Sequence, residues 1–122
     1  MSKAVATTAT TIKLTSAVTI TVDVPYTDPI QGAQTFQATW KLHKWDEYRG
    51  IVTAQQAGEK TDEDLMEDLV RLDGLKDSET KEQIAHCDEL VDAAMSVTFM
   101  RRPLILSWFA AQEGRNQAAA KN

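Results

Sequence analysis

"TFQATWKLHKWDEY", residues 35–48, changes its period halfway along. Phe36, Ala38, Trp40 and Leu42 alternate with Gln37, Thr39, Lys41 and His43, the two-residue repeat of a strand with one buried face. After His43, Trp45, Tyr48, Ile51 and Val52 recur at helical spacing and run into Gly58, which predicts a helix over about 45–57. The stretch therefore hands a strand to a helix. Its strand aromatics and its lysine fall on opposite faces, so it does not present one basic and aromatic surface to a nucleic acid.

Upstream, Ile12, Leu14, Val18, Ile20, Val22 and Val24 occupy even positions, with Ser16 the exception, while Lys13, Thr15, Thr19, Thr21 and Asp23 occupy odd ones. This predicts a half-buried strand rich in β-branched residues. PYTDPIQGA, residues 25–33, reads as a loop longer than a tight turn, and the two strands make an antiparallel hairpin over 11–43.

Downstream, Thr61 and Asp64 form a capping-box pattern at the start of a second helix. Leu65, Met66, Leu69, Val70 and Leu72 read as that helix's buried stripe, closed by Gly74. Residues 77–85 read as a polar link. Leu90, Val91, Ala94 and Met95 predict a short third helix. Phe99, Met100, Leu104, Ile105, Trp108 and Phe109 predict a fourth from about Thr98 to Glu113, with Pro103 in its tolerant first turns. The expected fold class is α+β: an N-terminal antiparallel hairpin followed by about four short helices. Residues 1–10 are expected to be a flexible N-terminus, 11–113 a single small domain with its helical part at 45–113, and 114–122 a flexible, solvated tail.

The chain's 122 residues, 43% of them hydrophobic and 25% charged, are ordinary globular composition and enough to bury a core. One cysteine, Cys87, excludes an internal disulfide and suits a reducing compartment. The first fifteen residues lack the apolar core of a secretory signal, and no stretch reaches the roughly 18 apolar residues of a membrane span. Charge is uneven. Residues 1–58 carry net +1, residues 59–92 net −9, and residues 93–122 net +3, so the centre of the chain repels phosphate.

Side-chain chemistry points away from catalysis. His86, Cys87, Asp88 and Glu89 are adjacent and cannot converge on one ion, so they read as a helix N-terminus and no metal or cofactor is expected. Asp62, Glu63, Asp64, Glu67 and Asp68 read as a solvated helix face rather than a facing acid/base pair. Phosphate-loop, nucleophile-elbow and zinc-helix motifs do not occur, and no catalytic residue is expected. Arg101 and Arg102 give too little counterion release for tight phosphate binding and are expected to pair with acids of the second helix. The aromatic and methionine content exceeds what a small sheet and short helices can enclose, which leaves apolar surface for a partner. Trp45, Tyr48, Met95, Phe99, Met100, Arg101, Arg102, Trp108 and Phe109 are the candidate partner-binding residues.

The order of three segments adds a resemblance. "FQATWKL" followed by a helix, "TDEDLMEDLVRLDGLKD", and "LVDAAMSVTFMRRPLILSWFAA", together covering about residues 34–112, resemble the small tail assembly chaperones of long-tailed bacteriophages and prophages. The resemblance implies a non-catalytic factor of the host bacterial cytoplasm that binds hydrophobic segments of the tape measure protein and keeps it soluble. It further implies recruitment of tail tube protein subunits, with self-association left open and no nucleic acid or membrane partner. The strength of the first strand keeps a structural component or adaptor of the phage tail as the alternative.

Overall fold

Two ten-residue strands, β1 (Thr19–Asp28) and β2 (Gly32–Lys41), pair antiparallel in a register that sets Val22 opposite Ala38 and Val24 opposite Phe36. The computed structural model describes residues 18–118, so the expected strand positions from Ile12 to Ala17 lie outside the described residues. Alternation decides the faces. Val22, Val24, Phe36, Ala38 and Trp40 are fully buried, while on the other side Thr21 and Thr39 hydroxyls meet at 2.7 Å and Gln37 Nε2 donates to Asp23 Oδ1 at 3.1 Å.

The expected loop at 25–33 is much shorter. β1 runs through Pro25 to Asp28, and only Pro29–Gln31 lie between the strands. The chain reverses there because Asp28 Oδ1 accepts the amide hydrogens of Ile30 (2.7 Å) and Gln31 (3.0 Å), and Gly32 supplies a φ of +82°. Those two bonds also hold the Asp28 carboxyl below its ordinary range. Pro25 is tolerated because β1 is a margin of the three-stranded sheet, where a missing amide hydrogen costs no ladder bond. Tyr26 continues the even face, edge-on to Phe36 at 5.6 Å.

Helix α1 (Trp45–Gln56) follows as expected. The capping box also forms. Asp64 N–H donates to Thr61 Oγ1 (3.3 Å), and Thr61 N–H donates to Asp64 Oδ2 (2.9 Å). The helix it opens, α2 (Asp62–Leu65), is a single turn, and a 3₁₀ turn at Met66–Asp68 leads into β3 (Leu69–Asp73). This corrects the expected leucine stripe. Leu69 and Leu72 are strand residues that pair with Trp40 and Ala38 of β2, and Val70 is the extra residue at a bulge. A five-residue apolar run is too short for periodicity to decide, and the open margin of β2 supplies the hydrogen bonds that favour the strand.

Residues between β3 and the next helix form the expected irregular link, closed at its neck by Ile84 N–H to the Leu75 carbonyl at 2.7 Å. His86 then reaches back, and its Nδ1 accepts the Leu72 amide hydrogen at 3.0 Å. Helices α3 (Asp88–Ser96) and α4 (Thr98–Gln112) complete the α+β fold, which among the described residues comprises a three-stranded sheet and four helices. The helix starts at Thr98 as expected, but the expectation that Pro103 is tolerated without cost does not hold. Pro103 is the sixth helical residue, so the missing amide hydrogen leaves the Phe99 carbonyl without its helical partner.

The core lies between the inner face of the sheet and α4, where Leu104, Ile105, Trp108 and Ala111 meet Val22, Val24, Phe36 and Trp40. Leu65, Leu72, Leu90 and Ala94 close its sides. Trp40 Nε1 donates to Ser107 Oγ at 2.8 Å, and Ser107 in turn donates to the Leu104 carbonyl. The expected solvated tail is partly structured: Asp23 N–H donates to the Asn116 carbonyl (2.8 Å) and Ala118 N–H to the Thr21 carbonyl (2.9 Å), which seats residues 116–118 along β1.

Candidate partner-binding surface

Trp108, one of the nine candidate residues, has no exposed surface. It packs edge-on to Phe109 at 4.9 Å, stacks on Tyr48 at 5.8 Å and donates its indole hydrogen to Asp68 Oδ2 at 2.8 Å. Its place on the buried side of α4 makes it core rather than contact surface. Tyr48 is half-buried and donates its hydroxyl to Glu113 Oε2 at 2.9 Å. Burial, with the Glu113 carboxylate second, raises its pKa, and Glu113 is held low by Arg115 first and Tyr48 next. Trp45 is 65% exposed against the outer side of Tyr48.

Arg101 is a strut. Its Nη2 donates to Glu63 Oε2 at 2.7 Å and lies 3.8 Å from Asp62 Oδ2, while Nη1 donates to the Met95 carbonyl at 3.2 Å. The bond to Glu63 raises the guanidinium pKa and lowers that of the carboxyl. Pairing with acids of α2 is what the sequence implied for the two arginines. Only Arg101 does it, because it faces α2; Arg102 is exposed, and among the described residues no carboxylate lies within 4 Å of it.

The nine residues do not form one patch. Met95 and Arg101 line a shallow hollow with Glu63 and Val91, whereas Met100 enters a different and larger groove. That groove, of about 570 Å³, lies between the hairpin end, the 75–84 link and α3. Tyr26, Leu75, Ile84, Leu90, Val97 and Met100 give it an apolar lining, and Lys76, Asp77 and Lys81 stand among its polar residues. Sequence reasoning missed it because its walls come from segments far apart in the chain. The available signal was Leu75 and Ile84, apolar residues bracketing an otherwise polar link.

A second apolar surface is the outward side of α4. Leu106, which sequence reasoning did not select, is 54% exposed, with exposed Phe99 and partly buried Phe109 on the same side. Two hollows flank it, of about 380 and 320 Å³, one reaching Pro25 and Arg115 and the other Asp62 and Arg102. Phe99 also stacks on Tyr26 at 6.3 Å.

His43 sits with Nε2 2.7 Å from Asp68 Oδ2 and Nδ1 3.3 Å from Glu47 Oε1, so each ring nitrogen faces a carboxylate and neither faces a nucleophilic hydroxyl or thiol. The arrangement ties the end of β2 to α1, the 3₁₀ turn and, through Asp68, α4. Among the described residues no three His, Cys, Asp or Glu side chains are grouped to hold a metal ion, and no helix is long and apolar enough to cross a membrane. Comparison with protein-family models, curated proteins and solved structures gave no match to the chain.

Proposed function

We propose that the protein is a non-catalytic tail assembly chaperone of a long-tailed bacteriophage or prophage, acting in the host bacterial cytoplasm. Its client is the tape measure protein, whose hydrophobic segments it binds and keeps soluble while tail tube subunits are recruited. The observation that carries this reading is the open groove between the hairpin, the 75–84 link and α3. It offers Tyr26, Leu75, Ile84, Leu90, Val97 and Met100 as an adaptable apolar floor without closing over an occupant.

The order of sequence segments shared with such chaperones supports the same reading. So does the acidic middle of the chain, net −9 over residues 59–92, which would keep a loaded complex soluble. Repeated weak contacts along an extended client add through effective concentration. Nucleic-acid binding is disfavoured by the same charge.

Co-expression with a hydrophobic tape-measure segment tests the proposal. The segment is expected in the soluble fraction with the native chain and in the pellet with Ile84→Asp/Met100→Asp, the variant's circular dichroism being unchanged. Equal recovery of the segment with both chains overturns it.

A further inference from the structure

We infer that His86 is a pH-sensitive latch on the wall of the groove, holding the 75–84 link against β3 while its imidazole is neutral and releasing the link on protonation. What release does to a client rests on the proposed function of the groove; the latch itself belongs to the free chain.

The link is tied mainly to itself. Ile84 N–H donates to the Leu75 carbonyl (2.7 Å), Asp77 N–H to the Glu82 carbonyl (2.9 Å) and Lys81 N–H to the Asp77 carbonyl (2.9 Å), and Lys76 pairs with Gln83. Among the described residues a single hydrogen bond joins residues 75–86 to the rest of the fold, the one from the Leu72 amide to His86 Nδ1 at 3.0 Å. A segment closed on itself and pinned at one point moves as a unit when the pin is withdrawn. Leu75 and Ile84 belong to that unit and line the groove, so the seating of the link sets the groove's apolar wall.

A ring nitrogen accepts an amide hydrogen only while it carries no proton of its own. Protonation of Nδ1 sets two donors against each other and breaks the contact with Leu72. Histidine ordinarily makes this change between about pH 5 and pH 8. The surroundings offer the charged ring an alternative. His86 shares a hollow with Met66, Leu69 and Val91, and the charged residues lining it are Asp88 and Asp92 of α3. Neither aspartate has a basic partner within 4 Å among the described residues. Other charges on the neighbouring elements are engaged or turned to solvent. On β3, Arg71 and Asp73 pair at 2.8 Å, and on the 3₁₀ turn Asp68 is held by Trp108 and His43. Glu67, Glu82, Cys87 and Glu89 are exposed. Protonation thus exchanges an amide contact for carboxylates and frees the link while β2 and β3 stay paired.

Amide exchange of the free full chain between about pH 8 and about pH 5.5, corrected for the intrinsic effect of pH on exchange, tests the latch. Protection at Leu72 is expected to fall about fivefold on acidification, the equivalent of one hydrogen bond, along the same curve as the His86 ring resonance. His86→Asn offers an oxygen acceptor that does not titrate, and its Leu72 protection should stay level. Protection that is level in the native chain, that falls equally in the variant, or that follows His43 instead overturns the inference. Should the variant not fold, the match between the native Leu72 and His86 curves decides.

A fluorescent hydrophobic tape-measure segment then reads the groove. It is expected to bind the native chain about fivefold more weakly at the acid end, and His86→Asn alike at both ends. Equal weakening in both chains overturns control of the groove by His86. A segment that binds neither chain, with the Leu72 change present, refutes the client reading and supports the latch.

Discussion

Trp108 and Asp68, forty residues apart, are joined by a 2.8 Å hydrogen bond from the indole Nε1 to Oδ2, the oxygen that also lies 2.7 Å from His43 Nε2. One partly buried carboxylate thereby holds the core tryptophan of α4 and the end of β2. Asp68→Ala leaves both donors unpaired and is expected to cost about 1–3 kcal/mol in urea unfolding. Asp68→Asn keeps a carbonyl for Trp108 and should recover most of the loss, whereas equal effects would mean that the indole bond contributes little.

Ser107 stands in the same relation to the other core tryptophan. Ser107→Ala removes the acceptor of Trp40 Nε1 in a fully buried place. The expected destabilisation is about 1–3 kcal/mol, read as a lower thermal midpoint. An unchanged midpoint would indicate that the indole finds another acceptor.

Gly74 ends β3 at φ +85°, and a Cβ there would meet Gln37 Oε1 at 2.5 Å. Gly74→Ala combines left-handed backbone strain of about 1–2 kcal/mol with displacement of Gln37 from Asp23. Chemical denaturation should show at least the strain, and a neutral substitution would place this turn in another conformation.

Thr61→Ala removes the side-chain acceptor for Asp64 N–H and is expected to cost about 1 kcal/mol. Because α2 is one turn, amide exchange should quicken at Asp64 and Leu65 while the β1–β2 ladder stays protected. Uniform acceleration would show that α2 opens only with the whole molecule.

Acid should destabilise the fold through carboxyls that accept hydrogen bonds. Asp28, Asp64 and Asp77 are held low first by backbone amides, and Glu63 by Arg101. A folded-state pKa below the unfolded one gives stability that is complete above the ordinary carboxylate range, about pH 4, and is lost as pH falls through the lower folded values. The urea midpoint should therefore be level above about pH 5 and decline below about pH 4. A midpoint that rises on acidification contradicts this.

Much of the fold was legible because its signals are local. The alternation of Phe36–Trp40, the change of period at Trp45 and the Thr61–Asp64 box each depend on neighbours within one turn or one pleat. Leu69–Asp73 was misread because the deciding partner, the free margin of β2, is about thirty residues away in sequence. The same distance effect hid the groove around Ile84 and Met100, whose walls meet only in the folded chain. Trp108 illustrates another limit: a helix with apolar residues on most sides does not reveal which side its own sheet will take. Leu106 was overlooked for that reason, next to a buried Ile105.

Residues 116–118 lie against the outer side of β1, and on the far margin Val70 bulges while His86 takes the Leu72 amide hydrogen. Both margins are thus awkward templates for another strand. A protein whose proposed work is to handle sticky chains would in this way avoid cross-β growth of its own, leaving the groove beside the hairpin end, and not a strand margin, as the place where a client adds to it.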